Sequence, residues 1–195
     1  MELTFQGDQC LRLRGKDINV VLDPPAKIPS RLQSEIVVRT TGVTDSESLR
    51  PHGDEAQLVA GPGEFEVKGV AVHGLPAGNT TVMLVTVDEV RVVAIGNLER
   101  QLTEDEIEDL GHVDVLCLPL GASGTLTPID ATKLARSVEP SIVVPLAASV
   151  DGSEVATFAK EMGVAEGWTA QPKLNLTGSM PASDEIRVVI LEARS

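Results

Sequence analysis

The apolar positions of the first hundred residues come in short runs broken by turn residues. Leu3 and Phe5 alternate with polar neighbours until Gly7 and Asp8 interrupt them, and Cys10, Leu11 and Leu13 form a second run closed by Arg14-Gly15-Lys16-Asp17. Ile18 to Leu22 is apolar apart from Asn19 and stops at Asp23-Pro24-Pro25. Short runs bounded by Gly, Pro and Asp predict the strands of a meander. Ile36-Val37-Val38 and Gln57 to Ala60 predict two more strands, and Thr40 to Gly53 between them is polar and without period, as in a loop. Phe65 and Val67 alternate with Glu66 and Lys68. Gly69 then shifts the phase so that Val70 and Val72 continue the apolar face, as at a bulge. The β-branched runs Thr81 to Val87 and Arg91 to Ile95, joined by Asp88-Glu89, predict a hairpin.

The second half changes period. Thr103-Glu104-Asp105-Glu106 is a capping box that opens a helix ending at Gly111. Thr127-Pro128 opens a second helix, with Ile129, Leu134 and Ala135 expected inward, and Ser153 to Met162 is a third, stopped by Gly163. Val113 to Leu118 and Ser141 to Leu146 read as buried strands between them, and Ile186 to Leu191 as the closing strand. Gly167 to Asp184 is a polar excursion whose role the pattern leaves open. Strands first, then helix and strand in alternation, predict a layered α/β domain with at least one mixed sheet. Without a repeat, a low-complexity tract or a linker, residues 1–195 are expected to form one domain.

Composition narrows the function classes. Hydrophobic residues at 42% suffice for a core without staples, but aromatics at 2% mean that this core is aliphatic. Few aromatics and a net charge of −13 argue against nucleic acid as a partner, because single strands are bound by stacking platforms and phosphate backbones by clustered cations. The same charge disfavours an anionic membrane surface. No basic segment precedes an apolar run at the N-terminus, and no stretch approaches the ~18 apolar residues of a membrane span, so neither a signal peptide nor a membrane segment is expected. Cys10 and Cys117 sit alone in separate apolar segments and read as buried thiols in a reducing, cytoplasmic compartment.

Several segments together resemble the metallo-β-lactamase fold superfamily. The resemblance is to its small bacterial branch of ascorbate-phosphate-lactonase-like and uncharacterised metal-dependent hydrolases. Gly7-Asp8-Gln9-Cys10-Leu11-Arg12-Leu13 corresponds to the branch's Gly-His-Ser-Cys-Phe-Arg-Ile, and Val20-Val21-Leu22-Asp23-Pro24 to its apolar strand ending in Asp-Pro. Gly61-Pro62-Gly63-Glu64-Phe65-Glu66-Val67-Lys68-Gly69 is similar to Gly-Pro-Gly-Glu-Tyr-Glu-Val-Lys-Gly. Gly96-Asn97-Leu98 with Leu102-Thr103-Glu104 matches Gly-Asp-Leu followed by Leu-Thr-Glu, and Asp114 to Gly121 resembles a further strand. The resemblance spans roughly residues 1 to 148. It implies a four-layer αββα sandwich with its active site at one edge of the paired sheets.

The resemblance also implies where a metal site would lie. The superfamily's His-x-His-x-Asp-His loop holds one or two metals that lower the pKa of a bound water. In this chain that loop reads Thr41-Gly42-Val43-Thr44-Asp45-Ser46, so the histidine positions hold Thr41, Val43 and Ser46, and only Asp45 is retained. The bridging Asp falls at Asn97, the late Pro-Met-His histidine at Ala147, and the early Gly-His-Ser histidine at Asp8; a histidine near Pro76-Ala77-Gly78-Asn79 is absent, in a loop that looks shortened. The chain's histidines, His52, His73 and His112, stand at no ligand spacing and read as surface or cap residues. No catalytic residue, cofactor or metal is therefore assigned. Asp45, Asn97, Asp8 and Asp23 are the positions to test for a remnant site, and these oxygens suit magnesium or calcium better than zinc. Turn and cap hydrogen bonding is the plainer role for the same residues.

The run Gly121 to Thr125 before the second helix is either an anion-receiving loop or a plain flexible one, and Ser123 has no base near it in sequence. Three functions remain in competition. The first is a non-catalytic, ligand-deficient member of the superfamily that binds an unknown small molecule or protein. The second is a hydrolase of a small ester, lactone or phosphoester with an atypical metal site or none. The third is a structural subunit of a homo-oligomer.

Overall fold

The computed structural model describes residues 1–25, 32–41, 56–122, 124–164, 168–181 and 185–194. The first sheet has six strands in the order β12-β1-β2-β3-β4-β5: β1 Glu2–Phe5, β2 Leu11–Arg14, β3 Asn19–Leu22, β4 Ile36–Arg39, β5 Gln57–Ala60 and β12 Leu174–Asn175. The second has seven in the order β13-β11-β10-β9-β8-β7-β6: β6 Gly63–Val67, β7 Val70–Ala77, β8 Thr80–Val87, β9 Val90–Ala94, β10 Val115–Pro119, β11 Ile142–Leu146 and β13 Arg187–Val188. Both sheets are mixed: β3-β4-β5 and β9-β10-β11-β13 run parallel, and the remaining pairs antiparallel.

Strand alternation makes the layers. Leu3 and Phe5, Leu11 and Leu13, Val20 and Leu22, and Ile36 and Val38 of the first sheet share one core with Met83 and Val85, Val92 and Ala94, Cys117 and Val144 of the second. The intervening residues of the second sheet, among them Val82, Leu84, Val93, Leu116, Leu118 and Val143, pack against Leu110, Leu134, Ala135 and Phe158. These last come from α1 Glu104–Leu110, α2 Pro128–Val138 and α3 Ser153–Glu161. The second sheet is thus buried on both faces, which is why β10 and β11 read as unbroken apolar runs. Over the outer face of the first sheet, Leu32 packs with Cys10 and Val21. This is the α/β sandwich of two facing sheets that the sequence implies. Each buried Leu or Val stabilises it by roughly 1.5–3 kcal/mol, so aliphatic residues suffice where aromatics are few.

The capping box at Thr103 and the Pro128 start of α2 are as the sequence predicts. Three expectations change. The Phe65–Val72 segment is not one bulged strand. Lys68 and Gly69 both take positive φ, 49° and 79°, the signature of a two-residue hairpin turn, and β6 folds back on β7. Ile129 is 51% exposed: the buried stripe of α2 is Ala131, Leu134, Ala135 and Val138, and Ile129 falls off that helical period. The closing strand is shorter than expected, Arg187–Val188, and the polar excursion contributes β12, which pairs with β1.

Candidate functional site at the sheet edge

The strand directions bring particular loops together. The β1–β2 turn and the ends of β3 and β4 lie at one edge of the first sheet, since Leu11 faces Leu22 and Leu22 faces Val38. The β7–β8 turn and the ends of β9, β10 and β11 share one edge of the second. Hydrogen bonds join the two edges. Thr40, just past β4, donates its N–H to Asp23 Oδ1 at 2.9 Å and its hydroxyl to Asp23 Oδ2 at 2.8 Å. Its carbonyl accepts the Thr81 N–H at 2.8 Å and the Thr80 hydroxyl at 3.2 Å, crossing to β8. Burial pushes the Asp23 carboxyl above its ordinary pKa, and the two Thr40 donors offset part of that rise.

Gly96 follows β9 with φ of 57°, and a Cβ there would run into Thr40 Oγ1 and stand 2.6 Å from Thr80 Oγ1. Only glycine lets the chain turn this close to the Thr40 bridge, and the turn delivers Asn97 to the edge. On the other sheet Gly7 and Asp8 take positive φ, 97° and 50°, in a turn closed by Cys10 N–H to Gly7 C=O at 2.9 Å. That turn aims Gln9 across the gap, and its Nε2 donates to Asn97 Oδ1 at 2.5 Å. Beside this pair is a recess of about 250 Å³ lined by Asp8, Gln9, Pro119, Leu120, Gly121, Ala122, Leu146 and Ala148. A larger cleft of about 440 Å³ lies over the β6–β9 face, bordered by Glu64, Glu66, His73 and Arg91. The Arg91 guanidinium there is committed to the carbonyls of Leu110 and His112. The edge recess is the better candidate, because loops of both sheets converge on it.

Of the positions singled out in the sequence, Asp8, Asp23 and Asn97 all lie at this edge. Asp45 lies outside the described residues, as do Val43, Ser46, His52 and Ser123. Thr41 is exposed directly after Thr40, and Ala147 directly follows β11. The β7–β8 connection is the two-residue turn Gly78-Asn79, as short as the sequence suggests. His73 pairs with Glu64 inside the β6–β7 hairpin, and His112 Nε2 is 3.1 Å from Asp114 Oδ1 at the opposite edge. Sequence reasoning missed Gln9, Thr40, Thr80 and Gly96. Only the Gly7–Cys10 and Gly96–Leu98 motifs pointed to their neighbourhood.

This donor set does not fit the superfamily's zinc. Such a site needs about three protein ligands, chiefly His, with an open position for water. By the resemblance drawn from the sequence, Thr41, Val43, Ser46 and Ala147 take the superfamily's histidine positions. Asn97 Oδ1 is taken by Gln9, and both Asp23 oxygens by Thr40. Among the described residues no three of His, Cys, Asp and Glu are grouped to hold any metal ion. An anion at the α2 start is also disfavoured. The Thr127 hydroxyl already caps Asp130 N–H, and the acidic side chains of Glu154 and Glu99 lie close beside Gly121 and Gly124. Among the described residues no helix is long and apolar enough to cross a membrane.

Comparison with known proteins agrees with this architecture. A metal-dependent hydrolase of the UPF0173 group from Bacillus velezensis is 23% identical over 198 residues, covering 75% of this chain and 84% of the relative. A candidate Zn-dependent hydrolase of the metallo-β-lactamase superfamily from Thermotoga maritima superposes with a TM-score of 0.74 at 20% identity, over 98% of each chain. A candidate metal-dependent hydrolase from Parabacteroides distasonis gives 0.70 at 16% identity, over 97% of this chain and 93% of the other. The β-lactamase superfamily domain matches residues 2–147, and with the sandwich of two facing mixed sheets and its converging sheet edge, the chain belongs to that family: it is a protein of the metallo-β-lactamase fold.

Proposed function

We propose that the chain, as one domain over residues 1–195, is a small-molecule hydrolase that works at the sheet-edge recess without a histidine-held zinc. The observation that carries this reading is the family membership, with relatives described as metal-dependent hydrolases. Those descriptions favour a hydrolase over the non-catalytic module expected from the missing ligands. The recess supports a narrower substrate class. At about 250 Å³ it takes a small molecule, and among the described residues its lining includes a carboxylate, Asp8, but no Lys or Arg. A neutral ester or lactone therefore suits it better than a phosphoester, whose charge would go unbalanced.

Asp8 is the titratable side chain of the lining and is exposed, so it is the residue placed to take a proton from an attacking water. A lone general base accelerates such a reaction by roughly 10²–10⁴-fold, so turnover would be slow. The test is a panel of small aryl esters and γ- and δ-lactones in the presence of chelator, with wild type and Asp8→Asn compared. Hydrolysis above the uncatalysed rate that Asp8→Asn abolishes supports the reading. No hydrolysis across the panel, or equal rates for the two proteins, sinks it.

The second reading is a binding module without chemistry. The donor set favours it, since by the resemblance the loop and late histidine positions hold Thr41, Val43, Ser46 and Ala147, and the early one Asp8. Saturable binding of an uncleaved ester or lactone at the recess, weakened by Leu146→Phe, would select it.

A further inference from the structure

The resemblance puts the superfamily's ligand positions on the loop after β4 of the first sheet and at the ends of β9 and β11 of the second. A metal there would join the two sheets as well as activate water. In this chain the same gap is crossed by side chains. Gln9, from the β1–β2 turn of the first sheet, donates to Asn97, from the end of β9 in the second, across 88 residues of sequence. We infer that the Gln9–Asn97 amide pair has taken over the structural role of the metal, so that the folded chain closes its sheet edge without one.

Three further features support this. The Asn97 oxygen accepts from a neutral donor, the Gln9 amide, and a neutral amide is a poorer metal ligand than a carboxylate. The residues that set the pair up are themselves specialised. Gly96 leaves room for the Thr40 and Thr80 hydroxyls, and Asp8 accepts a φ of 50° in the turn that carries Gln9. Finally, Thr40 already bridges Asp23 of the first sheet to Thr80 and Thr81 of the second, so the edge is cross-linked twice by hydrogen bonds. Hydrogen-bonded links of this kind depend on no ligand and on no supply of metal.

The inference is independent of whether an ester is turned over. The hydrolysis panel tests that reading, and metal content and melting temperature test this one. The full-length protein is stripped with chelator, dialysed separately against zinc and manganese, and measured by elemental mass spectrometry and thermal melting. The expected result is far less than one metal per chain and the same melting temperature in chelator and in either metal. In parallel, Gln9→Ala, Asn97→Ala and the double variant are melted. Each single change should lower the midpoint by about 2–4 °C, and the double should fall no further than the worse single, because the two side chains make one bond. Stoichiometric retention of zinc or manganese with a raised melting temperature would overturn the inference. So would strictly additive losses in the variants.

Discussion

The Asp114 carboxylate accepts the backbone N–H of Met180 at 2.6 Å, tying the start of β10 to a segment 66 residues later in the chain. It also accepts from Arg91 N–H at 2.7 Å and from the Ser179 hydroxyl at 3.1 Å, with His112 Nε2 at 3.1 Å. The side chain is wholly buried. One carboxylate thus satisfies the donors of three segments and pins the polar excursion to the second sheet, at the edge opposite the recess.

Removing it leaves those donors without a partner, at a penalty of about 1–3 kcal/mol for each one that stays buried. Asp114→Ala is expected to lose about 3 kcal/mol in urea unfolding. Asp114→Asn, which keeps one acceptor, should lose less. A loss under about 0.5 kcal/mol for the alanine variant would mean that water replaces the carboxylate without cost.

Gly96→Ala tests the crowding at the Thr40 bridge. The new methyl would overlap Thr40 and Thr80 at a backbone φ of 57°. Overpacking and left-handed strain together predict a loss of roughly 2–4 kcal/mol. Gly69→Ala is the control: its φ is 79°, but nothing lies within 4 Å of the added Cβ, so only about 1 kcal/mol of backbone strain is expected. Equal losses in the two variants would show that the close approach to the Thr40 bridge carries no penalty.

Most of the strands and all three described helices were legible in the sequence because their signals are local. Alternation marks β1 and β2, short apolar runs mark β3 and β4, the box Thr103–Glu106 opens α1, and Thr127-Pro128 opens α2. What was not legible depends on contacts distant in sequence. β12 is two residues long and exists because β1 offers it an edge. Lys68-Gly69 carries the same residues whether it bulges or turns, and pairing with β7 decides between them. The candidate site was half legible. Motif position located Asp8, Asp23 and Asn97, but Gln9 meets Asn97, and Thr40 meets Thr81, only after the sheets have packed.

The half-buried Asp23 carboxyl gives stability a definite pH sign. Its pKa in the folded chain is raised, chiefly by burial, so the folded state holds this proton more tightly than the unfolded chain does. Stability from this group is complete below the ordinary aspartate pKa and is lost as pH rises through the raised folded value. Unfolding of wild type and Asp23→Asn across the acid to neutral range should show wild type losing ground to the variant as pH rises. A stability difference that is flat over that range, or of opposite slope, would show that the Thr40 hydrogen bonds outweigh burial.

Glu106 has the opposite sign and a different window. Arg100 binds both its oxygens, at 2.8 and 2.6 Å, and the Thr103 N–H donates to Oε2 at 2.8 Å. The Arg100 contact is the main cause that brings its pKa down to about 2 from an ordinary 4.5. A lowered folded pKa means that the stabilisation is complete above 4.5 and is lost as pH falls through 2. Arg100 is 43% exposed, so solvent screening reduces the ion pair, and the box as a whole is worth about 1 kcal/mol. Glu106→Gln should therefore cost about that much at neutral pH and little near pH 2, measured by urea unfolding at both. A cost that persists undiminished at the acid end would assign the contribution to the shape of the α1 cap rather than to the carboxylate charge.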